Sequence, residues 1–204
     1  MKNIILIVLM IVTFTCKAQS PIVDIADRQI DLVDGVYLKD VNNELDKFIG
    51  TWLYTNGNTS LIVKFQKKTQ VYSGKYYRDI LVGEYRYIEN GIEKINTLPN
   101  FDNQDNLESL YEHSLISSLI ILKREFPGCS NCNDNEKRVK VSFSDPSPNL
   151  SHLDGMSMGL RYMSELGVPD KMQIDFAKKG TSLIPVGAAQ EPNLPFGRYV
   201  LTKQ

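Results

Sequence analysis

Two Asn-Gly dipeptides, Asn56-Gly57 and Asn90-Gly91, constrain this chain more than any other feature, because each stands between short runs rich in β-formers. A type I′ hairpin loop needs positive φ at both central residues, which Asn and Gly tolerate best. The first dipeptide joins residues 51–55 to residues 59–67, where Leu61, Val63 and Phe65 alternate with Ser60, Lys64 and Gln66. The second joins residues 85–89 to 92–96, and Gly83 just before it is expected to mark a bulge. Asn43 is placed to cap a short helical turn carrying Leu45, Phe48 and Ile49 ahead of the first of these strands.

The second half continues the two-residue period with longer loops. Val139, Val141 and Phe143 alternate with polar residues until Pro146 and Pro148 end the strand, since proline cannot continue a ladder. Met156, Met158, Leu160 and Tyr162 line one face of the next run, and Met172, Ile174 and Phe176 line one face of the run after Gly167-Val168-Pro169-Asp170. A last strand is expected over 198–203, with Leu201 inward. Within 107–122, Leu107, Leu110, Tyr111, Leu115 and Leu119 fit a helical face, while 115–122 also fits a buried strand, the reading preferred. Eight or nine strands joined first by tight turns predict an all-β fold, an antiparallel up-and-down sheet closing into a barrel. One domain over 42–204 is expected, preceded by an extension over 19–41 that lays a short strand along it.

Residues 4–14 carry no charge and follow a single Lys2, a run too short to span a bilayer and of the size of a signal-peptide core. Ala18 and Cys16 set up a cut before Gln19, so residues 1–18 read as a leader; the competing reading makes Cys16 a lipidated N-terminus. Both, and an uncleaved anchor as a third reading, place the domain outside the cytoplasm, in the periplasm or medium or on the outer membrane, with no span left after cleavage. There Cys129 and Cys132 are expected to pair with each other. A metal at that pair would need two further ligands from His113 and His152, and a thioredoxin-type role would need a helix after a strand, whereas Pro, Gly, Asn and Asp surround it. The 23 Lys and Arg against 24 Asp and Glu exclude nucleic-acid binding by bulk charge.

Gly155-Met156-Ser157-Met158-Gly159 spells the nucleophile elbow of α/β-hydrolases, but both histidines precede Ser157 and the segment alternates as a strand. Dinucleotide, P-loop, zincin and EF-hand motifs are absent from the sequence, so no cofactor is expected. A glycosidase-type carboxylate pair meets only in a fold; Asp145, Asp154, Asp170 and Asp175 are its candidates, and turns and solvated faces account for each. A non-enzymatic protein is expected.

Gly50-Thr51-Trp52, the only Trp, resembles the G-x-W signature of lipocalin-like calycins. That resemblance implies a barrel closed at one end by Trp52, with Arg198 of the last strand packed across it. The leader ending Cys16-Lys17-Ala18-Gln19, the Gly-Thr-Trp and the closing residues 196–203 together resemble a flavobacterial family of exported proteins of unknown function. In such a barrel Leu61, Val63, Phe65, Val139, Val141, Phe143, Met158, Leu160, Tyr162, Ile174, Phe176 and Leu201 face inward. They form either a packed core or the lining for a small apolar ligand. With a packed core, function moves to surface loops such as 145–155 and 185–196 and to an envelope partner.

Overall fold

The computed structural model describes residues 21–27, 32–102, 112–147, 150, 155–180, 189 and 191–204. The expected leader with Cys16, residues 103–111 with Leu107, Leu110 and Tyr111, His152 and Asp154 lie outside the described residues, as does part of each proposed surface loop. Among the described residues eleven strands form one sheet: β1 (Ile22–Asp24), β2 (Tyr37–Lys39), β3 (Gly50–Asn56), β4 (Thr59–Tyr72), β5 (Tyr77–Glu89) and β6 (Ile92–Asn96). They are followed by β7 (Leu115–Ile121), β8 (Arg138–Phe143), β9 (Met156–Met163), β10 (Lys171–Lys178) and β11 (Gly197–Lys203). A 3₁₀ turn over Asp46–Phe48 and a five-residue helix α1 (Leu98–Asp102) are the described helical pieces. None is long and apolar enough to cross a membrane.

Eight strands close the barrel in the order β5-β4-β3-β11-β10-β9-β8-β7 and back to β5, each pair antiparallel. This is the up-and-down order, except that β6 leaves the ring between β5 and β7 and pairs only with β5. The extension supplies β1 and β2, which run parallel to each other and join the outside of the ring on β5. One edge of β5 is thereby shared: β2 meets Tyr77 and Arg78, β7 meets Val82 and Gly83, and β6 meets residues 86–89. The barrel is closed at that seam by two register pairs.

All twelve expected inward positions belong to one contiguous core with Leu45, Phe48, Trp52 and Tyr85, Tyr162 at its margin. Alternation decides this, since Leu61, Val63 and Phe65 on β4 face Tyr87, Tyr85 and Gly83 on β5. Each fully buried Leu, Val, Phe or Met contributes about 1.5–3 kcal/mol against the entropy of ordering the chain. Rings bridge the lumen from Tyr85 to Phe143 (4.9 Å), Phe176 (4.5 Å) and Phe196 (4.9 Å).

Four local expectations are corrected. Asn90 and Gly91 both take positive φ, but at the first hairpin the central pair is Gly57-Asn58 and only Gly57 does, as a type II′ turn requires. Gly83 makes no bulge; a Cβ there would lie 2.5 Å from the Lys64 carbonyl and 2.5 Å from the Phe65 ring, so the absent side chain makes room for Phe65. The bulge lies instead between Lys68 and Val71. Asn43 does not cap the turn: the Asp40 carboxylate accepts from Glu44 N (2.8 Å) and Leu45 N (3.0 Å), and Ile49 is left exposed.

Candidate functional site

The split edge of β5 leaves an opening in the barrel wall. Past Val82 and Ile116 the backbone ladder stops, and the register of β7 against β8 shifts between Ser117 and Leu119. Side chains take over: Leu81 N donates to Ser117 Oγ at 2.8 Å, and Arg78 Nη2 donates to the Ser117 carbonyl at 3.3 Å. A pocket of about 390 Å³ occupies the opening, with Ile25 and Leu38 from the extension, Arg78 and Asp79 from β5, and Ser117 and Ile120 from β7 among its walls. Leu45 and Val139 connect it to the core, while Leu32 and Leu119 at its rim are 42% and 49% exposed. Of the twelve inward positions only Val139 reaches this pocket. A neighbouring pocket of about 250 Å³ shares Ile120 and Val139 with it and touches Phe48 and Tyr162.

Buried carboxylates hold the walls in place. Asp79 accepts from the Tyr37 hydroxyl (2.6 Å), Asp40 N (2.9 Å) and Gln70 N (3.0 Å), tying extension, bulge and β5 together. Burial and then the bond to Asp79 push the Tyr37 phenol up to about 12. Asp40 caps the turn that carries Leu45 and takes Lys67 Nζ at 2.9 Å. Burial would lower that ammonium, but Asp46 and Asp40 outweigh it and raise its pKa. Burial pulls the Arg78 pKa down, with Tyr76 opposing, yet a guanidinium stays charged. The pocket therefore presents the Arg78 cation beside the carboxylates of Asp27, Asp79 and Glu125, with Ile25, Leu38 and Ile120 as its apolar walls.

Two further polar clusters lie outside the barrel. Glu84, 0% exposed, accepts from Ser114 N at 3.2 Å and sits 3.3 Å from His113 Nδ1, whose Nε2 is 3.0 Å from Lys68 Nζ; Glu84 Oε2 has no hydrogen-bond partner. This chain of polar groups faces away from the lumen, because Glu84 alternates with the inward Gly83 and Tyr85. On β8 to β10, residues 122–137 fold over the outer face with the Cys129–Cys132 disulfide, whose Cα atoms are 5.5 Å apart. Arg138, 0% exposed, donates there to the carbonyls of Pro127 (2.8 Å), Leu122 (2.8 Å), Glu125 (3.1 Å) and Lys123 (3.3 Å). Asp175 accepts from Gln173 Nε2 (2.9 Å) and Arg198 Nε (2.6 Å), so it is buried and paired, not on a solvated face.

The expected Trp52–Arg198 contact is corrected by register. Lys203, the register partner of Trp52, lies 5.4 Å from the indole centroid, while Arg198 is paired across β10 with Asp175 on the opposite face. Trp52 is fully buried and donates from Nε1 to the Phe48 carbonyl at 2.7 Å. Ser157 lies within β9 opposite Ser142 and Ala177, so its motif makes no strand-to-helix elbow. Asp145 is held by Asn193 and Ser147, and Asp170 accepts from Tyr162 and Ser164. Among the described residues no three His, Cys, Asp or Glu side chains gather as a metal site.

A family model described as a family of unknown function, DUF6705, matches residues 1–204. The chain belongs to that family. No curated protein and no solved structure matches it. Membership brings no activity with it, so function has to be read from the geometry of the seam. Arg78, Asp79 and Ser117 were not singled out in the sequence. Their signal is there: Arg78-Asp79 interrupts residues 76–82, an otherwise aromatic and aliphatic strand. Charged residues in such a run are buried only where partners wait for them.

Proposed function

We propose that this DUF6705 chain is an exported, non-enzymatic binding module that holds one small, largely apolar molecule in the wall of its barrel, between β5 and β7. The observation that carries the reading is the seam pocket, whose size falls in the ~300–1,000 Å³ range of small-molecule sites and whose apolar walls converge on a few polar groups. The ligand expected deep in the lumen is moved to the wall, because aromatic rings fill the lumen from Tyr85 to Phe196. Export rests on the uncharged run 4–14 and on the suitability of a disulfide to an oxidising compartment. A distant lipocalin relationship is part of the proposal, supported by eight antiparallel strands in meander order with the sole Trp near the start of the first.

Native mass spectrometry of the protein purified from its own host tests this. The expected result is a low-mass adduct lost on denaturation and missing from Ala26→Trp, which fills the pocket from a lining residue of small volume. An adduct retained by that variant contradicts the seam. The second reading, an envelope protein acting through its outer loops, draws on the same filled lumen and on the Asp145–Asn193 contacts that hold two loop segments together. A bare protein in both samples favours it.

A further inference from the structure

Resting on the seam-pocket reading, we propose that the bound molecule is an uncharged amphiphile with one alkyl chain, and that Ile120 sets the longest chain the pocket takes. The charges of the lining are already matched within the protein. Asp79 accepts from the Tyr37 hydroxyl, Asp40 N and Gln70 N, Glu125 accepts from Leu122 N at 2.6 Å, and Arg78 donates to the Ser117 carbonyl at 3.3 Å. Asp27, Arg78 and Glu125 have further partners in the chain. An anionic head would be set beside three carboxylates, and a cationic head would meet Arg78 and carboxylates that are already engaged. Either would give up its hydration with no partner waiting for it, whereas an uncharged head loses far less on entering.

The pocket opens at Leu32 and Leu119 and reaches the core at Leu45. Ile120 and Val139, register partners across β7 and β8, line both this pocket and its neighbour of about 250 Å³, where Phe48 and Tyr162 meet edge to face. Val139 is buried in the core, whereas Ile120 is partly buried and packs against it from the margin. Ile120 is therefore the side chain whose size decides whether an alkyl chain ends at the seam or passes into the second space. Charges around that space are matched as well: Glu44 pairs with Lys47 and Lys137, Glu136 with Arg161, and Arg138 donates to backbone carbonyls. A chain end that gets past Ile120 meets the rings of Phe48 and Tyr162.

The test is calorimetric titration of the purified full chain with hexanol, octanol, decanol and dodecanol, and with decanoate and decylamine, each below its solubility or aggregation limit. Affinity is expected to rise about fourfold per added methylene, the value of burying one CH2, and to stop rising within the alcohol series. Decanoate and decylamine should each bind at least about tenfold more weakly than decanol. Ile120→Ala should move the stop to a longer alcohol and Ile120→Phe to a shorter one, while Ala26→Trp should abolish binding of every probe. A rise that continues unbroken through dodecanol, or a stop that neither Ile120 variant moves, overturns the role of Ile120. Decanoate or decylamine binding as tightly as decanol, still abolished by Ala26→Trp, overturns the uncharged head and leaves the seam standing. No binding of any alcohol, or binding indifferent to Ala26→Trp, overturns the seam itself. The two Ile120 substitutions change volume in opposite senses, and the probes are compared on the unaltered protein, so one variant that fails to fold does not decide the outcome.

Discussion

Arg138→Met should be among the most destabilising single substitutions in this barrel. The guanidinium is fully buried on the outer face and donates to four carbonyls of residues 122–127, one of them in a buried bond. Taken singly, hydrogen bonds to a charged donor stabilise by ~1.5–3 kcal/mol each. Water reaching the three half-buried carbonyls and relief of the buried charge offset much of that, leaving about 3–5 kcal/mol, the usual cost of breaking a buried ionic network. Such a loss is a large part of the ~5–15 kcal/mol that holds a domain together. Gly159 lies beneath the same group, and a Cβ there would stand 2.7 Å from Nη1. Gly159→Ala should therefore cost ~1–3 kcal/mol by displacing the guanidinium. In the double variant there is no guanidinium to displace, so its loss should be smaller than the two single losses combined by at least ~1 kcal/mol. Urea unfolding with the disulfide intact reads all four species, with midpoints compared at constant slope. A cost under about 1 kcal/mol for Arg138→Met, or strict additivity, would refute this role for the buried guanidinium.

Other perturbations have equally definite outcomes. Burial would raise the Glu136 carboxyl, but Arg161 and then Asn133 N hold it below its ordinary 4.5. A depressed folded value means stability present above the ordinary carboxylate value and lost as pH falls through the lower folded one, so the deficit of Arg161→Gln, about 1 kcal/mol at pH 7, should shrink as the pH is taken below 4.5; a pH-independent deficit contradicts the pairing. Gly83→Ala should lower thermal stability by about 3 kcal/mol, and adding Phe65→Leu should restore only part, because the Lys64 carbonyl still obstructs the new methyl; full restoration would place the strain in the ring alone. Replacing Cys129 and Cys132 by Ser should cost about 2 kcal/mol, the loop-entropy value for so short a closure, and an unchanged urea midpoint would show that the packing of Gln173 and Asn131 suffices without the bond.

Much of this fold was legible because its signals are local. Alternation at Leu61, Val63 and Phe65, and again at Val139, Val141 and Phe143, depends only on the two-residue period of a strand, and a lumen is where such faces meet. The seam was not legible, because it follows from β6 leaving the ring and from three strands sharing one edge of β5, and no short stretch of sequence records that. The Trp52 contact shows a different failure. With Leu201 inward, the same alternation turns Arg198 outward and Lys203 inward, so parity pointed to Lys203 where analogy pointed to Arg198. Asp175 looked solvated because the cations beside it, Arg138 and Arg198, come from other parts of the chain.

The most direct measurement is a methyl NMR titration of the full chain with decanol, observing Ile, Leu and Val. Shifts are expected at Ile25, Leu38, Leu119, Ile120 and Val139, with Leu61, Val63, Leu160 and Ile174 unmoved. Shifts centred on those core methyls, or none at any position, would contradict a binding site in the barrel wall.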